Sequence, residues 1–170
     1  MGQQRLRRSP IAMSEVLFYH LTSNPLEQAA PQILEKCFER GWKAVVRTGS
    51  PERAEALNRM LWTYREDSFL PHGGSSDPAP DHQPIYLTAG DETPNSPDVL
   101  LLCDGAEARV EEMGQYNRSL LMFDGHDEDA VAAARIAWKQ VSDAGLRAIY
   151  WAQNDAGGWV RKAESGGDSV

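Results

Sequence analysis

Residues 15–48, EVLFYHLTSNPLEQAAPQILEKCFERGWKAVVRT, decide the fold. Glu15–Thr22 is a short, apolar, aromatic-rich run and reads as a central strand. Pro25 suits the first helical position, with Ser23 or Asn24 before it as the cap. Leu26, Ala29, Ala30, Ile33, Leu34, Cys37 and Phe38 then recur at helical spacing up to Arg40, and Gly41 closes the helix. Trp42–Thr48 (WKAVVRT) is the second strand. Ser50–Pro51 repeats the cap signal ahead of a helix carrying Ala54, Leu57 and Leu61. Strand–helix–strand–helix with β-branched strands predicts parallel pairing through right-handed crossovers.

Downstream, Gly73–Gln83 and Gly90–Pro97 have the Gly, Ser, Pro and Asp content of loops. Pro84–Ala89 and Ser119–Phe123 read as strands. Asp98–Cys103 (DVLLLC) is a continuous apolar run, as expected for a strand covered on both faces. Ala106–Gly114 is a weak helix. Asp127–Ala144 is a strong one, with Asp127, Glu128 and Asp129 at the end where negative charge suits the helix dipole. Its Ala130, Ala134, Ala137 and Val141 make a narrow stripe that permits close packing on a sheet. Arg147–Gln153 and Gly158–Lys162 form a final pair around an Asn154–Gly158 turn. The pattern predicts one α/β domain over residues 14–162, a three-layer α/β/α sandwich with a mostly parallel, Rossmann-like sheet. Flexible tails are expected at 1–13 and 163–170.

With 170 residues and 41% apolar side chains the chain can bury a real core. It lacks any run near the ~18 apolar residues of a membrane span. Met1–Ala12 (MGQQRLRRSPIA) is basic without an apolar centre, so it is no secretory signal; it reads as a tail or as an extension ahead of a start at Met13. Cys37 and Cys103, each inside an apolar pattern, read as buried reduced thiols, which points to the cytoplasm. The net charge of −8 argues against strong direct DNA binding, which draws on Lys and Arg neutralising phosphates.

Catalytic readings find little support. The turn after the first strand, Leu21–Pro25, has neither phosphate-loop spacing nor G-x-G-x-x-G, although a small nucleotide- or metabolite-binding enzyme with Asp104 at a strand end stays as the alternative. His72, Asp81, His82 and Cys103 lack metal-ligand spacing, so neither a metal nor a cofactor is expected. A triad drawn from Cys103, His72 or His126 has no nucleophile-elbow motif behind it. His20 on a core strand reads as a hydrogen-bonded structural histidine.

What survives is aromatic plus basic. Arg135 and Lys139, four apart, share one helical face outside the alanine stripe, and Trp138 lies between that face and the core. In Leu61–His72 (LWTYREDSFLPH) a helix ends in an aromatic corner, with Trp62 off the Leu57–Leu61 stripe and Phe69 beyond it. Together Trp62, Phe69, Arg135, Trp138 and Lys139 would make an apolar pocket with cations at its rim, fit for a chain end that bears a carboxylate and a bulky apolar residue. The plain alternative is that the cations are solvated and the aromatics are core.

These segments also resemble a known family. Helix–Leu61–Trp62, a polar spacer and Ser68–Phe69–Leu70–Pro71–His72 are similar to the chi subunit of bacterial DNA polymerase III holoenzyme. Ala134–Lys139 with Ala144–Gly145, the opening Phe18–Tyr19–His20–Leu21 and Trp159 agree in order. The resemblance implies a non-catalytic replication subunit in which Trp62, Phe69, Arg135, Trp138 and Lys139 bind the acidic, Phe-ending C-terminal tail of single-stranded DNA-binding protein. It also implies a link to the clamp loader, in that family through a psi subunit. Val141–Ser142 and the aromatic-poor Val110–Arg118 depart from the family pattern, so no psi-contacting residues follow from it.

Overall fold

The computed structural model describes residues 14–63, 71–74 and 79–165. The expected tails at 1–13 and, beyond Ser165, at 166–170 lie outside the described residues, as does Phe69. Eight strands form a single sheet: β1 (Glu15–Leu21), β2 (Ala44–Arg47), β3 (Gly73–Gly74), β4 (Ile85–Thr88), β5 (Val99–Leu102), β6 (Arg118–Asp124), β7 (Arg147–Gln153) and β8 (Trp159–Ser165). Their order is β3-β4-β2-β5-β6-β1-β7-β8. Every pairing is parallel except that of β7 with β8. The three-layer, mostly parallel architecture read from the sequence is therefore the one observed.

Alternation along the strands explains the layers. Leu17 and Leu21 of β1 face a cluster with Leu34 and Cys37 of α1 (Leu26–Glu39) and Leu57 and Leu61 of α2 (Pro51–Thr63). Val16 and Phe18 face the other way, into a cluster with Met113 of α3 (Val110–Met113) and Ala134 and Val141 of α4 (Glu128–Asp143). The two sides are unequal. Helices of 14 and 13 residues cover the first face, whereas α3 on the second has only 4 residues.

Four local expectations shift. Gly73–Gly74, inside an expected loop, pairs with Tyr86–Leu87 as a two-residue edge strand; glycines carry no apolar alternation, so the pattern could not reveal it. The helix expected over Ala106–Gly114 shrinks to its last turn. Strand β8 runs on to Ser165, past the expected end at Lys162, because Arg147 and Arg161 both hold Glu164 at 2.9 Å. At α1, Pro25 itself occupies the cap position and no side chain caps the helix. The backbone N–H groups of Thr22, Ser23 and Asn24 instead all donate to Gln153 Oε1, at 3.0, 2.9 and 3.1 Å. These amides belong to the turn ahead of the helix, so Gln153, 131 positions from Thr22, fixes that turn rather than capping α1.

Candidate functional site

Helix α4 begins where Asp127 turns its carboxylate onto the free N–H groups of Asp129 and Ala130, at 3.0 and 3.3 Å. The alanine stripe brings it close to the sheet, and Trp138 follows one turn on, half-buried. Its ring meets Phe18 edge-on at 5.3 Å and Tyr150 edge-on at 5.9 Å between centroids. Phe18 and Tyr150 lie opposite each other in the β1–β7 register. Behind them the Tyr150 hydroxyl and His20 Nδ1 share a 2.7 Å hydrogen bond whose direction depends on the imidazole tautomer. Phe123 packs against both rings.

Arg135 and Lys139 are exposed beside this aromatic group. Burial pushes the Tyr150 hydroxyl up, and the Arg135 charge pulls it back. His20 is held below the usual histidine range first by burial, against its hydrogen bond with the Gly125 backbone, and then by the charges of His126 and Arg135. Arg135 therefore projects its field over the aromatic floor. Lys139 is tied at 3.4 Å to Asp143, one helical turn on.

The structure thus unites three of the five sequence candidates, Arg135, Trp138 and Lys139, and adds Tyr150, His20 and Phe123. Trp62 stands elsewhere. It projects from α2, 53% exposed, and its ring lies 4.3 Å from that of the buried His72. Helices α2 and α4 pack on opposite faces of the sheet, so the expected single cavity walled by Trp62 and Trp138 is not formed by them. Helical spacing sets where each Trp sits on its own helix but does not say which face of the sheet that helix covers. Tyr150 was missed for a related reason: only the adjacency of β1 and β7 brings it under Trp138.

A crevice of about 1110 Å³ opens at the carboxyl ends of β1, β5 and β6, where open α/β sheets commonly hold ligands. A phosphate would seek the amides of Thr22, Ser23 and Asn24 there, but Gln153 already occupies them. Among the described residues no group of three or more His, Cys, Asp or Glu side chains could hold a metal. The Cys103 thiol is pushed up chiefly by burial, the opposite of an activated nucleophile.

Fold and site together define a Rossmann-like α/β domain with an aromatic and basic surface on α4. Residues 13–148 match the family described as DNA polymerase III chi subunit, HolC, and the chain belongs to that family. It is 33% identical over 105 residues to the probable DNA polymerase III subunit chi of Rickettsia prowazekii (strain Madrid E), covering 61% of this chain and 64% of that protein. It is 26% identical over 92 residues to the DNA polymerase III subunit chi of Pseudomonas aeruginosa, covering 52% and 63%. The chain spans a little under two thirds of the length of these relatives.

Proposed function

We propose that the protein is a non-catalytic accessory subunit of the DNA polymerase III holoenzyme that binds the C-terminal tail of single-stranded DNA-binding protein and couples it to the clamp loader, directly or through a psi subunit. The observation that carries this reading is the joining of Arg135 and Lys139 to the Trp138–Tyr150 floor on one flank of α4. A guanidinium holds a terminal carboxylate while the rings take the bulky last side chain. Trp62 and Phe69 belong to the proposed tail site only if the tail extends beyond this floor; Trp62 by itself marks a second exposed aromatic surface. Family membership supplies the replication context, and the cytoplasm is the compartment it needs. No helix among the described residues is long and apolar enough to cross a membrane.

The acidic net charge shapes the affinity. An acidic tail gains from Arg135 and Lys139 only within about one Debye length, roughly 8–10 Å at ordinary salt, so binding is modest and salt-sensitive. The same charge keeps direct DNA contact weak. The test is a titration with a fluorescent acidic peptide ending in Phe. Arg135→Ala, and separately amidation of the peptide's carboxylate, should each abolish most of the binding; unchanged affinity in both would remove the assignment.

A further inference from the structure

The crevice has a feature that the tail site does not use. A βαβ crossover normally lays several helical turns over its strands, but between β5 and β6 only the single turn of α3 does so. Leu121 and Phe123 of β6 are left half-buried beneath an open groove. Its wall is the flank of α4 formed by Ala130, Ala133 and Ala137, with Ile136, 60% exposed, at the lip. Its rim is strongly negative: Asp104, Glu107, Asp124, Asp127 and Asp129 line it, with Glu27 at one end. The arginine that lines it, Arg53, is already held by Glu27 at 2.9 Å and by Asp104 at 3.1 Å.

We propose that this groove docks a basic amphipathic helix of a partner protein, seated in the place that the truncated α3 leaves empty in the sandwich. Each part of the groove selects one property of the occupant. The alanine wall admits a helix at the usual 8–10 Å between axes. The apolar floor takes a stripe of Leu-sized side chains, as in other helix-in-groove complexes. The carboxylate rim favours Lys and Arg along the flanks and repels acidic segments. At about 100° per residue, Ala133 and Ala137 lie on the flank of α4 away from Arg135 and Lys139, and Ile136 stands on the outer ridge between the two flanks. The groove shares the Phe123 ring with the aromatic group behind the tail site, but its α4 wall and its rim are separate from that site and opposite to it in charge, and the inference stands whether or not the tail reading does.

The test uses the full chain and a fluorescein-labelled synthetic helix of about 16 residues built from Leu, Ala and Lys, long enough to be marginally helical alone. A second peptide replaces every Lys by Glu. The basic peptide should bind and the acidic one should not. Ala133 is exposed, so Ala133→Trp should fill the groove without unfolding the protein, as circular dichroism would verify, and weaken binding by roughly tenfold or more. Glu107→Gln with Asp129→Asn should weaken it about threefold and flatten its salt dependence, and Arg135→Ala should leave it unchanged. Equal binding of both peptides, or an inert Ala133→Trp, would overturn the proposal. Binding that appears only once residues 1–13 are removed would make the chain's own basic segment the occupant, and a dimer abolished by Ala133→Trp would make it a second copy; either result also overturns it.

Discussion

Arg47 at the end of β2 and Glu112 in the single turn of α3 are joined by two parallel hydrogen bonds, Nη1 to Oε1 at 3.0 Å and Nη2 to Oε2 at 2.8 Å. The arginine side chain is 5% exposed and the glutamate 28%, and Tyr116 donates a further hydrogen bond to Oε2 at 3.2 Å. Burial first, and then the Glu112 charge, pushes the Tyr116 hydroxyl up to about 12, so it stays a donor at every physiological pH. Removing one partner of a buried pair strands the other charge. Arg47→Ala should therefore cost about 2–4 kcal/mol in urea unfolding, at the lower side of buried pairs because Glu112 reaches solvent. Arg47→Met combined with Glu112→Leu should recover much of that loss; a double variant as unstable as Arg47→Ala would mean that packing, not the stranded charge, sets the cost.

Trp138 and Tyr150 make separable contributions to the surface on α4. Trp138→Ala removes an edge-on contact with two rings and part of the proposed floor, so it should lower stability by roughly 2–4 kcal/mol and tail-peptide affinity by at least about tenfold. Tyr150→Phe keeps the ring and loses only the bond to His20, so it should change affinity less than about threefold. Fluorescence anisotropy with both variants decides the matter. A Tyr150→Phe effect as large as that of Trp138→Ala would move recognition from the ring to the hydroxyl.

The layered fold was legible because it is written in local periods: alternation in β1, the α1 stripe from Leu26 to Cys37, with Phe38 of that expected face left exposed, and the alanine stripe of α4. What was hidden depends on neighbours that periodicity does not name. Gln153 gathers the amides of Thr22, Ser23 and Asn24 ahead of α1 only because β7 lies beside β1. Trp62 and Trp138 part company only because the chain crosses to opposite faces after β2 and β6. The helix carrying Arg135, Trp138 and Lys139 was readable as a surface; the sheet residues beneath it, His20, Phe123 and Tyr150, were not.

Glu92 gives the stability a defined acid limb. Its Oε2 accepts from Thr88 Oγ1 at 2.6 Å and from the Tyr86 hydroxyl at 3.0 Å. The Thr88 hydrogen bond is the largest influence holding its carboxyl below the usual range, against some burial, with Tyr86 and the Arg47 charge adding to it. The folded state thus binds fewer protons than the unfolded one, and stability rises with pH in that window. The contribution is complete above the ordinary glutamate value of 4.5 and is lost as pH falls through the lower folded value. Glu92→Gln cannot titrate. Urea midpoints of the two proteins should differ at pH 7 and converge toward pH 3, whereas a difference independent of pH would show that the carboxylate charge is not involved.

Gly125 links stability to the proposed tail site. Its N–H donates to Leu21 O at 2.7 Å. A Cβ there would collide with the His20 ring and lie 2.8 Å from Leu21 O, so backbone as well as side chain must yield. Gly125→Ala should cost about 1–3 kcal/mol as an overpacked position, and by displacing His20 from Tyr150 it should also weaken the tail peptide. Gly145, after the last turn of α4, supplies the control: its φ is +81° and nothing lies within 4 Å of an added Cβ. Gly145→Ala should cost about 1–2 kcal/mol of backbone strain and leave peptide affinity unchanged. If the two variants, matched for stability by adjusting temperature, bind the peptide equally well, the His20–Tyr150 pair does not support the recognition surface.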